Sequence, residues 1–330
     1  MFIKKILYLL KKTGIKNTYK QVIKKIRLYF LVKTYSPTTQ MQNAWNNRYD
    51  YFLDPMAFGV SPEVHKEQQK YQFNRNIKFS ILVPLYNTPK DFLQEMIASV
   101  LFQSYQNWEL CLADGSDSEH DYVKEICQEI SGNEPRIKYR KLEKNEGISA
   151  NTNKCLEMAN GDYICLFDHD DLLHPSALFE TMKVICEKNA DFVYTDEATF
   201  LFSNLHKIIS VHFKPEFSQT LLESNNYICH FSSFRKELLS SKILFDSETD
   251  GAQDFDLFLK ISEKTTKIFH INKVLYYWRA TSSSTALNSE AKSYTSDSGR
   301  KALENHFTRL NEDVQILNDI KKDRIAACPF

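Results

Sequence analysis

From residue 79 to residue 195 the chain alternates apolar, branched or aromatic runs of strand length with stretches of helical periodicity, and nothing else restricts its fold so strongly. The runs are FSILV (79–83), WELCLA (108–113), IKYRKL (137–142), DYICLF (162–167) and DFVYT (191–195), with helical patterns between them at 90–103, 119–131, 147–160 and 175–188. Strands separated by crossover-length helices imply an α/β fold, a mostly parallel, Rossmann-like sheet flanked by helices. Ligands of such sheets bind beyond the carboxyl ends of the strands. Chemistry is expected there.

Three of the runs end in polar groups. The first leads into Pro84, Tyr86 and Asn87, the second into Asp114, Gly115, Ser116 and Asp117, and the fourth into Asp168, His169, Asp170 and Asp171. A single carboxylate at a strand end is commonly a helix N-cap. Three within four residues repel one another unless a cation sits among them. Strand alternation would send Asp168 and Asp170 to one side and His169 to the other, a spacing suited to a hard divalent ion shared with substrate phosphates. Glycine scarcity sharpens this reading. The chain has 8 glycines, where average usage gives roughly 23. The two nearest, Gly147 and Gly161, are fourteen positions apart, so Gly-rich dinucleotide and phosphate loops are excluded. Phosphate must be held by side chains or a metal.

Charge is balanced overall, 42 basic residues against 42 acidic, but unevenly spread. Residues 1–49 carry eleven Lys/Arg and no acid, leaving 31 basic against 42 acidic residues in the rest. An acidic body disfavours nucleic acid as a partner. The basic arm reads as two short helices broken at Gly14. In the second, Ile15, Tyr19, Val22, Ile26, Tyr29 and Val32 recur at helical steps opposite Lys16, Lys20, Lys24 and Arg27. Such a helix suits an anionic membrane surface, or else packs its apolar stripe on the body. No apolar run reaches a membrane span, and Ile6–Leu10 is too short for a signal-peptide core. Seven cysteines without C-x-x-C spacing read as reduced, packed thiols. The expected location is cytoplasmic, peripheral on the inner face of the cell membrane. The expected organisation is an arm (1–35), an irregular linker (36–78), a catalytic domain (79–288) and a C-terminal helical segment (289–330).

Six blocks then occur in a familiar order: SILVPLYNT (80–88), SVLFQSYQNWELCLADGS (99–116), NEGISANTN (145–153), GDYICLFDHDDLL (161–173), GAQDFDLFLK (251–260) and VLYYWR (274–279). Together they resemble the inverting family 2 glycosyltransferases, most closely the bacterial branch that builds O-antigen, capsule and rhamnose-containing polysaccharides. The resemblance implies a GT-A fold, a nucleotide-sugar donor carrying UDP or dTDP, and a saccharide or lipid-linked acceptor. It further implies that Pro84, Tyr86 and Asp114 serve the donor, with Tyr86 and Asp114 on the nucleobase. Asp168 would meet the ribose or sugar, Asp170 with Asp168 would hold Mn²⁺ or Mg²⁺, and Asp254 would be the general base. Gln253, Trp278 and Arg279 are further candidates in these blocks.

Chemistry supports Asp254 independently, because inverting transfer needs a carboxylate to accept the acceptor hydroxyl's proton. On a helix starting near Ala252, Phe255, Phe258, Leu259 and Ser262 form the core-facing stripe. Asp256 and Lys260, at i,i+4, are expected as an exposed ion pair, with Asp254 pointing inward. Two departures stand out. Ala113 replaces one of two acids found in many relatives, and Tyr277 stands where a histidine, a possible metal ligand, is expected. His270 is a candidate substitute ligand or a packed ring. Asp196 and Glu197 contact donor or acceptor, or cap a turn. Competing readings are a catalytically impaired scaffold, a metal-dependent phosphohydrolase and a nucleotidyltransferase. The second usually carries its D-x-D on the first strand, and the third generally needs a Gly-rich loop. The Q-x-x-R-W motif of membrane-embedded synthases is absent, which favours addition of one or few sugars.

Overall fold

The computed structural model describes residues 60–329 except 202–203, 241–243, 282–290 and 320–323. The basic arm expected on the membrane lies outside the described residues. Nine strands form one sheet in the order β3-β2-β1-β4-β8-β6-β9-β5, with β7 added to β6. They are β1 (Phe79–Leu85), β2 (Trp108–Asp114), β3 (Ile137–Lys141), β4 (Tyr163–Leu166), β5 (Leu172–Leu173), β6 (Phe192–Leu201), β7 (Asn204–His212), β8 (Ser232–Arg235) and β9 (Ile268–Ala280).

The half β3-β2-β1-β4 is parallel throughout, as the alternation predicts. Beyond β4 the sheet is mixed. β8, a strand of four residues with no counterpart in the sequence reading, enters antiparallel between β4 and β6, while β6 and β9 run parallel. Along β1, Phe79, Ile81, Val83 and Leu85 point to one face, where they pack on α2 (Lys90–Leu101), α3 (Tyr122–Asn133) and α5 (Ala177–Lys188). Leu82, with Cys111, Ala113 and Ile164, points to the other. There it meets α4 (Ile148–Met158), α6 (Gln219–Ser224), α7 (Gln253–Ser262) and α8 (Ala291–Leu310). Two cores on opposite faces make the strands apolar on both sides, hence their unbroken hydrophobic runs. Cys111, Cys127, Cys155 and Cys165 are fully buried free thiols in these layers, filling the packing role expected of them.

Two segments differ from expectation. Within 36–78, residues Pro62–Lys70 form a helix, α1, started by Ser61, whose hydroxyl accepts from Val64 N, with proline in its first turn. It is held by polar contacts. His65 Nε2 lies 2.9 Å from the Phe102 carbonyl, and Gln68 Oε1 accepts from the Ser104 and Ser176 hydroxyls at 2.8 Å each. An anchor made this way leaves no apolar period to read. Within 289–330 the helix α8 ends where Asn311 turns left-handed at φ 56°. A hairpin of β10 (Val314–Asp319) and β11 (Arg324–Pro329) follows in place of further helix, with Ile316 buried in the core beneath.

Candidate active site

A cavity of about 400 Å³ opens at the carboxyl ends of β1 and β4. Its floor is Leu82, Pro84, Leu166 and Phe167, and Asp168 stands at its edge. Ile148 and Thr152 of α4 form one wall, Gln253 and Asp254 of α7 another, and Trp278 of β9 contributes a ring. The remaining wall is the loop before β8, through Asn226, Cys229 and His230. A wider hollow of about 800 Å³ lies at the opposite strand ends, around Arg75, Asp162, Tyr163 and Arg235. Its groups are engaged elsewhere: Arg235 Nε donates to Asp191 at 2.8 Å and Asp162 accepts from Lys78 N at 2.8 Å. Position at the carboxyl ends and convergent carboxylates single out the smaller cavity.

Strand β4 stops at Leu166, and His169–Asp170 form a turn, so strand alternation does not extend to the acids. Each of the four residues after Phe167 has its own environment. The Asp168 side chain is 41% exposed, with Oδ2 3.5 Å from His230 Nε2. His169 turns away and its Nδ1 lies 2.9 Å from Thr88 Oγ1, tying this loop to the one after β1. Asp170 lies outside the cavity lining, and its carbonyl accepts from Arg279 Nε. Asp171 is fully buried, its carboxylate accepting from Tyr276 Oη at 2.5 Å and Arg279 N at 2.7 Å. Burial, reinforced by Asp170 and Asp168, raises the Asp171 carboxyl well above the usual range. The Asp168 carboxyl is raised too, by desolvation of its protein-facing side and by the like charge of Asp170 and Asp254, against His230 and His169.

Asp168, Asp171 and His230 each present one ligand atom, and these lie within 4.8 Å of one another. Neighbouring ligands on an ion with bonds of about 2.1 Å sit about 3 Å apart and opposite ones about 4.2 Å. The 3.5 Å between Asp168 and His230 fits that range. A carboxylate and an imidazole also suit Mn²⁺. Asp171, engaged with Tyr276 and Arg279, steadies the loop from behind.

Asp254 sits in the first turn of α7. Its Oδ1 accepts from Phe255 N at 2.8 Å and its Oδ2 from Asn226 Nδ2 at 3.0 Å, so the carboxylate is fixed at two points where it lines the cavity. The expected neighbour pair differs from the sequence reading. Asp256 is fully buried and Lys260 is 8% exposed, 2.5 Å apart, because α8 covers that face of α7 and brings Arg309 to Glu263 and toward Asp256. Spacing announces the pair but not its burial.

The remaining candidates divide. Pro84, Gln253 and Trp278 line the cavity. Tyr86 is 47% exposed beyond the end of β1. Asp114 is buried, with Oδ1 accepting from Ser116 N at 2.8 Å and Oδ2 from Tyr139 Oη at 2.8 Å and Lys141 Nζ at 3.2 Å. Arg279 is buried outside the cavity, paired with Glu95 at 2.7 Å and set near the rings of Phe92 and Phe200. His270 is packed, stacked on Tyr194 and 2.8 Å from Asp196.

Asp196 and Glu197 are buried as well and hold protein rather than facing the cavity. Asp196 accepts from Lys214 N at 2.8 Å, and Glu197 pairs with Lys214 Nζ at 3.1 Å and accepts from His230 N at 3.3 Å. Lys214, wholly buried, also donates to the carbonyls of Ile228 and His230. Burial opposes ionisation of Glu197, but His212, Lys214 and His230 outweigh it and hold the carboxyl at about 2. This network clamps the loop bearing Asn226 and His230, two cavity residues the sequence reading missed. The stretch NYICH has no periodicity to mark it, although an uncapped polar run before a strand of small residues was its available signal.

The model of the Glycosyl transferase family 2 domain matches residues 80–241. The chain is 40% identical over 233 residues to the uncharacterized protein y4gI of Sinorhizobium fredii, an alignment covering 70% of this chain and 25% of that protein. It is 30% identical over 246 residues to the O-antigen biosynthesis protein RfbC of Myxococcus xanthus, covering 74% of this chain and 19% of that one. It thus spans a quarter or less of the length of these two curated relatives. Among solved structures, S. aureus TarS 1–349 in complex with UDP-GlcNAc superposes with a TM-score of 0.54 at 19% identity, over 70% of this chain and 73% of that one. That likeness bears on fold, and it agrees with the GT-A architecture of a curled mixed sheet flanked by helices.

Proposed function

We propose, from the premise that the chain belongs to the family 2 glycosyltransferases, that it moves a hexosyl or deoxyhexosyl group with inversion from a UDP- or dTDP-sugar to an acceptor hydroxyl. The acceptor is a saccharide, lipid-linked, of a growing bacterial surface polysaccharide. The observation that carries this reading is the placing of Asp168 and Asp254 on one cavity at the carboxyl ends of parallel strands, with Asp254 fixed at both oxygens. Asp254 takes the proton of the acceptor hydroxyl, whose oxygen forms the new bond to the anomeric carbon as the bond to the diphosphate breaks. One displacement inverts the centre. Asp168 and His230 would hold a divalent ion, with Asp170, as the resemblance implies, as a further ligand, and such an ion would supply charge neutralisation for the departing diphosphate. Pro84, Tyr86 and Asp114 form the nucleobase end. Among the described residues no helix is long and apolar enough to cross a membrane. Docking to anionic lipid falls to the basic arm, which brings the enzyme to its acceptor.

The test is release of nucleoside diphosphate from a panel of UDP- and dTDP-sugars with Mn²⁺ or with EDTA. UDP-N-acetylglucosamine comes first, given the complex of TarS. Turnover is expected only with metal. Asp254→Asn should lower kcat by on the order of 10² to 10⁴ while donor affinity stays within twofold. Metal-independent turnover, or an Asp254→Asn enzyme within threefold of wild type, overturns the reading.

A further inference from the structure

Asn226 carries one feature that folding alone does not explain. Its Nδ2 donates to Asp254 at 3.0 Å, yet its Oδ1 is buried and has no hydrogen-bond partner. A carboxylate accepts and cannot donate, so the amide must turn its nitrogen to Asp254 and its oxygen into the wall. A buried acceptor left unsatisfied is unfavourable, and an apolar side chain of the same size would avoid that penalty. The position nevertheless holds an amide, and the group it serves is a carboxylate that lines the cavity.

We propose that Asn226 is a positioning residue for Asp254, holding the carboxylate through Nδ2–H···Oδ2 in the orientation that meets the acceptor hydroxyl. The proposal rests on the reading of Asp254 as base. Backbone N–H of Phe255 holds one oxygen from within α7, and Asn226 holds the other from the adjoining loop. Without the second contact the carboxylate turns about its side-chain bonds, and a general base displaced from its proton loses most of its effect.

The same loop reaches the other carboxylate. Four residues after Asn226, His230 places Nε2 3.5 Å from Asp168. Lys214 fixes the intervening backbone through the carbonyls of Ile228 and His230, and Cys229 adopts a left-handed φ of 39° between them. A loop held this tightly carries Asn226 to Asp254 and His230 to Asp168 with one backbone conformation.

The test compares Asn226→Leu and Asn226→Asp, both close to asparagine in size, in the full chain with Mn²⁺ and the donor found by diphosphate release. Leucine offers no donor toward Asp254, and an aspartate there, about 3 Å from it, would share a proton with Asp254 and block it as a base, so kcat should fall 10- to 100-fold in both, with donor KM within twofold of wild type for Asn226→Leu. Asn226→Leu also removes the unsatisfied acceptor, so its Tm should be unchanged or higher, an outcome opposite to that of a structural residue. A kcat within threefold of wild type, or a fall in kcat accompanied by lower Tm and weaker donor binding, overturns the proposal. Crystal structures of wild type and Asn226→Leu decide the positioning without turnover, since the Asp254 carboxylate should leave its wild-type orientation. An unmoved carboxylate overturns the proposal. Should Asp254→Asn itself keep its rate, the base reading fails and the crystal structures alone judge Asn226.

Discussion

Two buried glutamates, one in each half of the sheet, are ionised against burial by different means. Glu109, on β2 in the parallel half, accepts from Ser80 Oγ and Asn160 N and pairs with Lys78 at 2.5 Å and Lys138 at 2.9 Å, lysines that are 36% and 29% exposed. Glu197, on β6 in the mixed half, depends on one lysine, Lys214, which is wholly buried. Burial raises both carboxyls, and their partners bring each down to about 2. The first arrangement is redundant and joins neighbouring strands away from the cavity. The second has a single lysine, backed only by His212 and the His230 N–H, and reaches through Lys214 into the loop that bears Asn226 and His230. The parallel half supplies a rigid floor, whereas the mixed half supplies geometry that one buried cation maintains.

Breaking each arrangement at a lysine should separate them, and this is the largest effect expected. Lys214→Met leaves Glu197 charged and buried beside a half-exposed His212 and frees two carbonyls. A loss of about 3–5 kcal/mol in urea unfolding is expected, along with impaired turnover. Lys138→Met leaves Lys78 and two hydrogen bonds on Glu109, and should cost about 1 kcal/mol or less. Equal losses would mean that redundancy does not matter and that the two halves respond alike.

A third buried glutamate sharpens the contrast through pH. Glu95 on α2 pairs with Arg279 at 2.7 Å, but that guanidinium also serves the Asp170 carbonyl. Burial therefore prevails over Arg279, raising Glu95 to about 7. Its sign is opposite to that of Glu197. Below the unfolded value near 4.5 Glu95 is protonated in both states, and its contribution is fully present. As pH rises toward 7 the unfolded chain releases a proton that the folded protein retains, so stability falls by on the order of 2 kcal/mol. Glu197 instead loses its contribution as pH drops from about 4.5 toward 2. Stability measured by urea unfolding between pH 4.5 and 7 should decline in wild type and decline less in Glu95→Gln. Identical slopes would show that Arg279 keeps Glu95 ionised throughout.

The same division explains what the sequence made legible. In the parallel half the proposed site residues lie at or just past the carboxyl end of a strand, so the runs that announce β1, β2 and β4 also announce Pro84, Asp114 and Asp168. The first-turn position of Asp254 was legible because a helix start is itself a sequence signal. In the mixed half the functional loop is defined by partners distant in sequence: Glu197 meets Lys214 seventeen residues on, and Asp171 meets Arg279 at a separation of 108. No window of periodicity contains both members. Burial of Asp256 failed for the same reason, since the covering helix α8 begins at Ala291.

The smallest effect concerns Tyr277, where the family resemblance led to expectation of a histidine ligand. Along β9 successive side chains alternate, so Tyr276 and Trp278 face the site, where Tyr276 meets Asp171 and stacks on His230 at 4.6 Å. Tyr277 faces the other way. Its ring is 6% exposed, packed with Phe102, Leu172 and Phe200 and stacked on His174 at 6.3 Å. An imidazole placed there stays behind the strand, on the face away from Asp168. On the proposed assignment the metal site would lose nothing by carrying tyrosine, because His230 would supply its imidazole. Tyr277→His should leave Mn²⁺ affinity, measured by calorimetry on the full chain, within twofold of wild type, and should cost about 1–2 kcal/mol for the smaller ring in a packed cluster. His230→Ala in the same titration should weaken Mn²⁺ at least tenfold. Tenfold tighter binding in Tyr277→His would show that β9 can present position 277 to the ion, and the assignment of His230 as the nitrogen ligand would then fall.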